Sequence, residues 1–122
     1  MPHRPIDQFR KDRAHGHERL LDTQHLGLKR FMNLDTAAYR DATDKGGLDE
    51  KTKELLGLVA STVLRCNDCI DYHLEQCVGL GWTMQEVEDG LNVAMIVGGS
   101  ITIPHLRHAR LTLEELFAER DR

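Results

Sequence analysis

From residue 6 to residue 103 the chain contains no proline; the three it has stand at positions 2, 5 and 104. A proline inside a helix removes a backbone donor and clashes with the preceding turn, so a proline-free run of this length leaves helix available throughout. Glycines punctuate the run at Gly46-Gly47, Gly79, Gly81 and Gly98-Gly99. No alternating apolar–polar stretch of strand length interrupts it, and there is no internal repeat or low-complexity tract. The expected fold is all-α, a single domain of five to seven helices. A chain of 122 residues can bury roughly two-thirds of its unfolded surface, so it needs no disulfide staple or structural metal to fold.

A first helical region runs from about Asp7 to Asp22 and a second from about Thr23 to Thr43. Both are polar overall, with Phe9, Leu20, Leu21, Leu28, Phe31 and Tyr39 available for burial. His15, His17 and the charged Arg10–Arg13 run read as solvated helix surface. Asp49 is placed to cap a helix reaching about Leu64, whose apolar face holds Thr52, Leu55, Leu56, Val59 and Val63. Leu58 and Ala60 carry the apolarity round the other side, which predicts a central helix. The next helix runs from about Asn67 to Leu80 and closes at Gly81. Its inward stripe reads Cys69, Ile70, His73, Leu74 and Cys77, with Asp71, Glu75 and Gln76 facing water. Thr83 and Glu86 form a capping box, flanked by Trp82 and Val87 as a hydrophobic staple, and open a helix to about Val97. Val87, Leu91, Ala94 and Met95 face inward there. A last segment from Ser100 to about Glu119 has Pro104 near its start, where a first turn tolerates it or a kink forms.

The net charge is -4, with 20 acidic against 16 basic residues. A chain of that sign has no general attraction for nucleic acid or an anionic membrane. Its apolar stretches fall short of the ~20 residues of a membrane span, and the charged N-terminal residues do not read as a signal core. The expected setting is the cytoplasm. No flavin, haem or nicotinamide motif is visible, so no cofactor is expected.

Cys66, Cys69 and Cys77 lie within twelve residues and are the only cysteines. An odd count without a signal sequence makes a poor disulfide framework and points to redox chemistry or metal binding. Cys66 and Cys69 are three apart at a helix start, close enough to form a disulfide across one turn. A thiol in a first turn faces free backbone N–H groups and the positive end of the helix dipole, which lowers its pKa. His73 lies one turn beyond Cys69 on the same face, placed to take its proton directly or through water. Zinc is the competing reading, with Cys66, Cys69 and His73 as ligands and Cys77 or His105-x-x-His108 as the source of a fourth. Inert, buried thiols are a third, and Cys77 by itself reads as a small buried hydrophobe.

Glu54 sits in an otherwise apolar helix. Either it lies at the helix edge beside Lys51 or Lys53, or it is a partly buried carboxylate with a raised pKa that orients His73.

Together Glu54, Cys66, Cys69 and His73 spell E-x11-C-x-x-C-x-x-x-H. This pattern resembles the carboxymuconolactone decarboxylase superfamily, and within it the AhpD-like alkylhydroperoxidases. The text around it, LDEKTKELLGLVAS before the cysteines and CIDYHLEQCVGLGWTMQEVEDGLNVAMIVGG after, is similar as well. The resemblance covers about Leu48 to Ala109, and the first forty residues add little to it. It implies an AhpD-like helical bundle that assembles as trimers or hexamers and carries a peroxide-reducing dithiol. It also implies that Cys69 is the peroxidatic thiol, that Cys66 resolves it, and that Glu54 and His73 form the proton relay. One departure is Asp68, which stands between the cysteines where AhpD proteins often carry a second histidine. The lactone decarboxylase branch lacks the cysteine pair.

The expected reaction is reduction of hydroperoxides, with electrons supplied by an external dithiol or a protein reductant. The same dithiol could act on a protein or lipoyl disulfide. Two rivals are a zinc-binding or structural helical oligomer, and a decarboxylase holding a small cyclic acid with His105, Arg107 and His108. The alternative for those three residues is a solvated face of the last helix.

Overall fold

The computed structural model describes residues 3–122, and among these every regular element is helical. Six α-helices follow in order: α1 Ile6–Leu21, α2 Leu26–Ala38, α3 Glu50–Val63, α4 Asn67–Gly79, α5 Met84–Gly98 and α6 Ile103–Arg120. Short 3-10 turns at Thr43–Lys45 and Ser100–Thr102 precede α3 and α6. No helix among the described residues is long and apolar enough to cross a membrane.

Four of the six helices, α2 to α5, start where a side chain accepts from a free backbone N–H of the first turn. Asp49 caps α3 by accepting from Thr52 N at 2.8 Å. Both halves of the capping box of α5 form, Glu86 N to Thr83 Oγ1 at 3.1 Å and Thr83 N to Glu86 Oε1 at 2.9 Å. Pro104 falls in the first turn of α6, where its missing N–H costs no helix bond. The second helix is shorter than the Thr23–Thr43 expected. His25 caps it through Nδ1 to Leu28 N, and beyond Tyr39 the Asp41 side chain captures Thr43 N at 2.8 Å and turns the chain away.

Helix α3 lies between α4 and α5, and α6 packs on the far side of α4. The core runs through these helices as Leu58, Ile70, Leu74, Cys77, Val87, Leu91, Ala109, Leu113, Leu116 and Phe117, all buried. From α1 only Ile6 and Phe9 join it, while Leu20, Leu21, Leu28 and Phe31 stay exposed and α2 buries nothing.

Three sequence expectations change. The fully buried face of α3 is Glu54, Leu58, Ser61 and Thr62, not the stripe through Leu56, which is exposed. Its other partner is α5, where bare Gly90 leaves room for Leu55 and Val59. On α4, burial begins at Ile70, so Cys69 is exposed at the helix tip, not turned inward. Asp71 is buried, not solvated, because α6 supplies partners: His108 Nε2 at 2.7 Å and Thr112 Oγ1 at 2.8 Å, both to Oδ1.

Candidate active site

The turn between α3 and α4 sets the cysteines. Cys66 N donates to Ser61 O at 3.1 Å and Arg65 N to Thr62 O at 3.0 Å, the paired bonds of a Schellman ending. The left-handed position of that motif falls on Arg65, at φ 62°. The chain then enters α4 with Cys66 as its N-cap, the sulfur accepting from Cys69 N at 3.3 Å. Cys66 and Cys69 are joined as a disulfide, their Cα atoms 5.3 Å apart. Cys77, two turns further along the helix, is free and fully buried, and burial followed by the charge of Glu54 pushes its thiol up to about 12.

Glu54 and His73 face each other across the α3–α4 interface. The Nδ1 of His73 meets Glu54 Oε1 at 2.8 Å, and both side chains are almost wholly buried. The lysines that could have held Glu54 at a helix edge are occupied elsewhere: Lys53 Nζ donates to Arg40 O, and Lys51 lies over the Trp82 ring. With Nδ1–H given to the carboxylate, Nε2 is left with its lone pair, and Tyr39 O–H stands 3.4 Å from it. Tyr72 packs edge-on against the same ring. Burial, with the nearby carboxylates, holds both phenols above their ordinary pKa.

The close approach of His73 depends on Gly57. A Cβ there would lie 2.6 Å from Cε1 and 2.8 Å from Nε2 of the imidazole. Cys69, His73 and Tyr39 open on one cleft of about 440 Å³, whose apolar wall comes from Phe9, Leu20 and Tyr72. All four residues of the E-C-C-H pattern are therefore gathered around the start of α4 and the facing turn of α3.

Residues the sequence reading left on the surface also take part. Arg13 covers the Tyr72 ring at 4.3 Å and His17 lines the cleft, while Arg10 is tied to Glu75 and Glu119. The last helix does not present a solvated row. His105 Nδ1 is held by Asn67 at 2.8 Å and His108 by Asp71, leaving Arg107 exposed. The described residues contain no group of three or more His, Cys, Asp or Glu arranged to hold a metal ion. Gly57 had a visible signal, an isolated glycine inside a helical pattern. Tyr39 had none, because only the fold brings it to His73.

The sequence model of the carboxymuconolactone decarboxylase family matches residues 27–112. An alkyl hydroperoxide reductase AhpD from Corynebacterium kroppenstedtii is 28% identical over 87 residues, 67% of this chain, which spans about half the length of that relative. The uncharacterized protein 4 of the cox locus of Paracoccus denitrificans is 26% identical over 86 residues, covering 70% of this chain and 74% of its own. Among solved structures, a carboxymuconolactone decarboxylase family protein from Thermotoga maritima superposes with a TM-score of 0.86 at 50% identity, covering 93% of each chain. A part in an antioxidative response has been suggested for it. A family protein from Legionella pneumophila superposes at 0.79 with 26% identity, over 91% of this chain and 96% of that one. On the matched residues and the shared fold alike, the chain belongs to the carboxymuconolactone decarboxylase family.

Proposed function

We propose that the chain, as one domain across residues 1–122, is a thiol peroxidase that reduces alkyl hydroperoxides through Cys66 and Cys69. The observation that carries this reading is the pairing of the two cysteines over the first turn of α4, with Cys69 on the same cleft as a His73 that is held from behind by buried Glu54. In the reduced protein Cys69 has the free N–H groups of α4 around it, which favour its thiolate. His73, oriented by Glu54, takes the thiol proton. The thiolate sulfur attacks the O–O bond, the leaving alkoxide collects that proton as an alcohol, and Cys69 becomes a sulfenic acid. Cys66 then attacks the sulfenic sulfur, water departs, and the disulfide forms. An external dithiol or protein reductant returns two electrons by exchange and is itself oxidised.

The apolar wall of Phe9 and Leu20 favours an organic peroxide over a small polar one. His105 and His108, which a decarboxylase would need free, are engaged by Asn67 and Asp71. The cycle requires a reducing compartment, and we place it in the cytoplasm. The test is to trap sulfenic acid in single-cysteine variants. Cys66→Ser should form it at Cys69, and Cys69→Ser should react far more slowly. The opposite pattern reverses the two roles. Thiols inert to hydroperoxide but oxidised by a dithiol–disulfide substrate would replace peroxide reduction with dithiol exchange.

A further inference from the structure

The short strap of chain ahead of α1 ends at the dithiol cleft. Glu115 of α6 holds it twice, accepting from Ile6 N at 2.9 Å and pairing with His3 Nε2 at 2.8 Å. Between these anchors Arg4 is turned toward the start of α4, its guanidinium over the Phe9 ring at 5.1 Å. It meets Asp68 Oδ1 at 2.5 Å and Asp12 Oδ2 at 3.5 Å, and stands 4.0 Å from Asp71 Oδ2. That Asp71 oxygen is buried and has no hydrogen-bond partner; its twin is taken by His108 and Thr112. Arg4 and Asp68 both line the cleft that contains Cys69.

Three carboxylates, Asp12 of α1 and Asp68 and Asp71 of α4, therefore converge on Arg4 beside the turn in which a thiolate must develop. Each opposes a second negative charge there, and Asp68 is the immediate neighbour of Cys69 in the chain. Other charged or titratable groups stand around the cleft and the turn, and α6 brings two: His108, 2.7 Å from Asp71 Oδ1, and Arg107, which lines the adjoining cavity with Arg4 and Asp68. Helix α1 brings Arg13 and His17, and α2 brings Asp35 and Tyr39. Helix α4 adds Tyr72 and His73, with Glu54 of α3 behind the imidazole. Arg13 is spread over the Tyr72 ring, so the arginine in contact with the carboxylates of the turn is Arg4, while His108 is paired with the other oxygen of Asp71.

We propose that Arg4 is a positioning residue of the dithiol site, its guanidinium neutralising the carboxylates around the first turn of α4 so that a thiolate can form at Cys69. The proposal rests on Cys69 as the reacting thiol, but not on peroxide as its substrate. The strap gives the effect its geometry. A lone exposed ion pair contributes little, whereas this guanidinium is fixed by Glu115 through the backbone N–H of Ile6 on one side and the His3 side chain on the other, and by the Phe9 face.

The test titrates Cys69 in reduced Cys66→Ser protein, by ultraviolet thiolate absorbance and by the rate of iodoacetamide alkylation against pH. Cys77 does not interfere, because burial pushes its thiol up to about 12. Arg4→Gln should raise the midpoint by about one pH unit and slow alkylation near neutral pH about tenfold. Arg4→Lys should keep the midpoint near that of the parent, and Asp68→Asn added to Arg4→Gln should bring it part of the way back. An unmoved midpoint in Arg4→Gln overturns the proposal. So does one raised equally by Arg4→Lys, or one that Asp68→Asn leaves unchanged. No peroxide enters the titration, so a failure of the peroxidase reading would show separately, as a normal thiolate that hydroperoxide does not oxidise.

Discussion

A methyl group on Gly57 would stand 2.6–2.9 Å from three atoms of the His73 ring. The bare backbone of α3 is thus part of the site, because it lets the imidazole lie against the helix and reach Glu54. Gly57→Ala should gain up to about 1 kcal/mol in helix propensity and lose about 1–3 kcal/mol to overpacking. The protein should remain folded while oxidation of Cys69 by hydroperoxide slows at least about tenfold. Thermal unfolding and stopped-flow oxidation check this together; a wild-type rate would mean that the ring position does not matter. Cys77 offers a pH test. Burial raises its pKa from an ordinary 9.0 to about 12, so the folded state holds a proton that the unfolded state releases. The corresponding stability is intact below pH 9 and is lost as pH rises toward 12. Denaturant unfolding between pH 8 and 11 should therefore show a decline that Cys77→Ala makes shallower, most clearly below pH 10 where Tyr39 and Tyr72 do not yet contribute, measured against each protein's own value at about pH 8. At this scale a short-range feature such as the Cys66–Cys69 pair at a helix start is legible in the sequence, but which way Cys69 faces is not: expected inward, it lies exposed at the tip of α4. Asp71 carries no local sign of its burial, because its partners His108 and Thr112 lie 37 and 41 residues away.

Helix boundaries followed their capping chemistry. Asp49 and the Thr83–Glu86 box are short-range signals, complete within one turn, and they begin α3 and α5 as read. Gly81, at φ 97°, closes α4 where its sequence position suggests, with Trp82 N donating to Cys77 O. The apolar face of α3 was harder to read because that helix is apolar on several sides. Periodicity alone could not say that Glu54 belongs to the α4 side, where His73 receives it. The α3–α4 turn departs from the usual chemistry by placing Arg65 in the left-handed region. Glycine takes that conformation without the penalty of a Cβ, which is about 1 kcal/mol. Arg65→Gly should raise the melting temperature by a few degrees and leave Cys66 and Cys69 as reactive as before. A fall in melting temperature would mean that the arginine side chain contributes more than its backbone costs.

At the scale of the whole molecule, the all-helical fold was the most legible feature, since a proline-free run with glycine stops constrains every element in it. The surface was less so. Leu64, Ile96, Val97 and Ile101 are all more than half exposed. They lie where α3 and α5 end together, for a Cβ on Gly98 would touch Thr102 and come within 4 Å of Val63. The polar N-terminal helices do not fold over this face. Large apolar side chains gathered at one end of two helices mark an interaction surface, and we propose that like chains cover it in a symmetric assembly. Light scattering at low micromolar concentration should give three or six times the 13.9 kDa of one chain; a mass near 13.9 kDa would contradict a trimer or hexamer. The dithiol cycle itself is tested most directly by intact mass before and after one equivalent of an alkyl hydroperoxide is added to the fully reduced protein. The cycle predicts a loss of about 2 Da, located by peptide mapping to Cys66 and Cys69, with Cys77 still free. An unchanged mass, or a disulfide that includes Cys77, would contradict it.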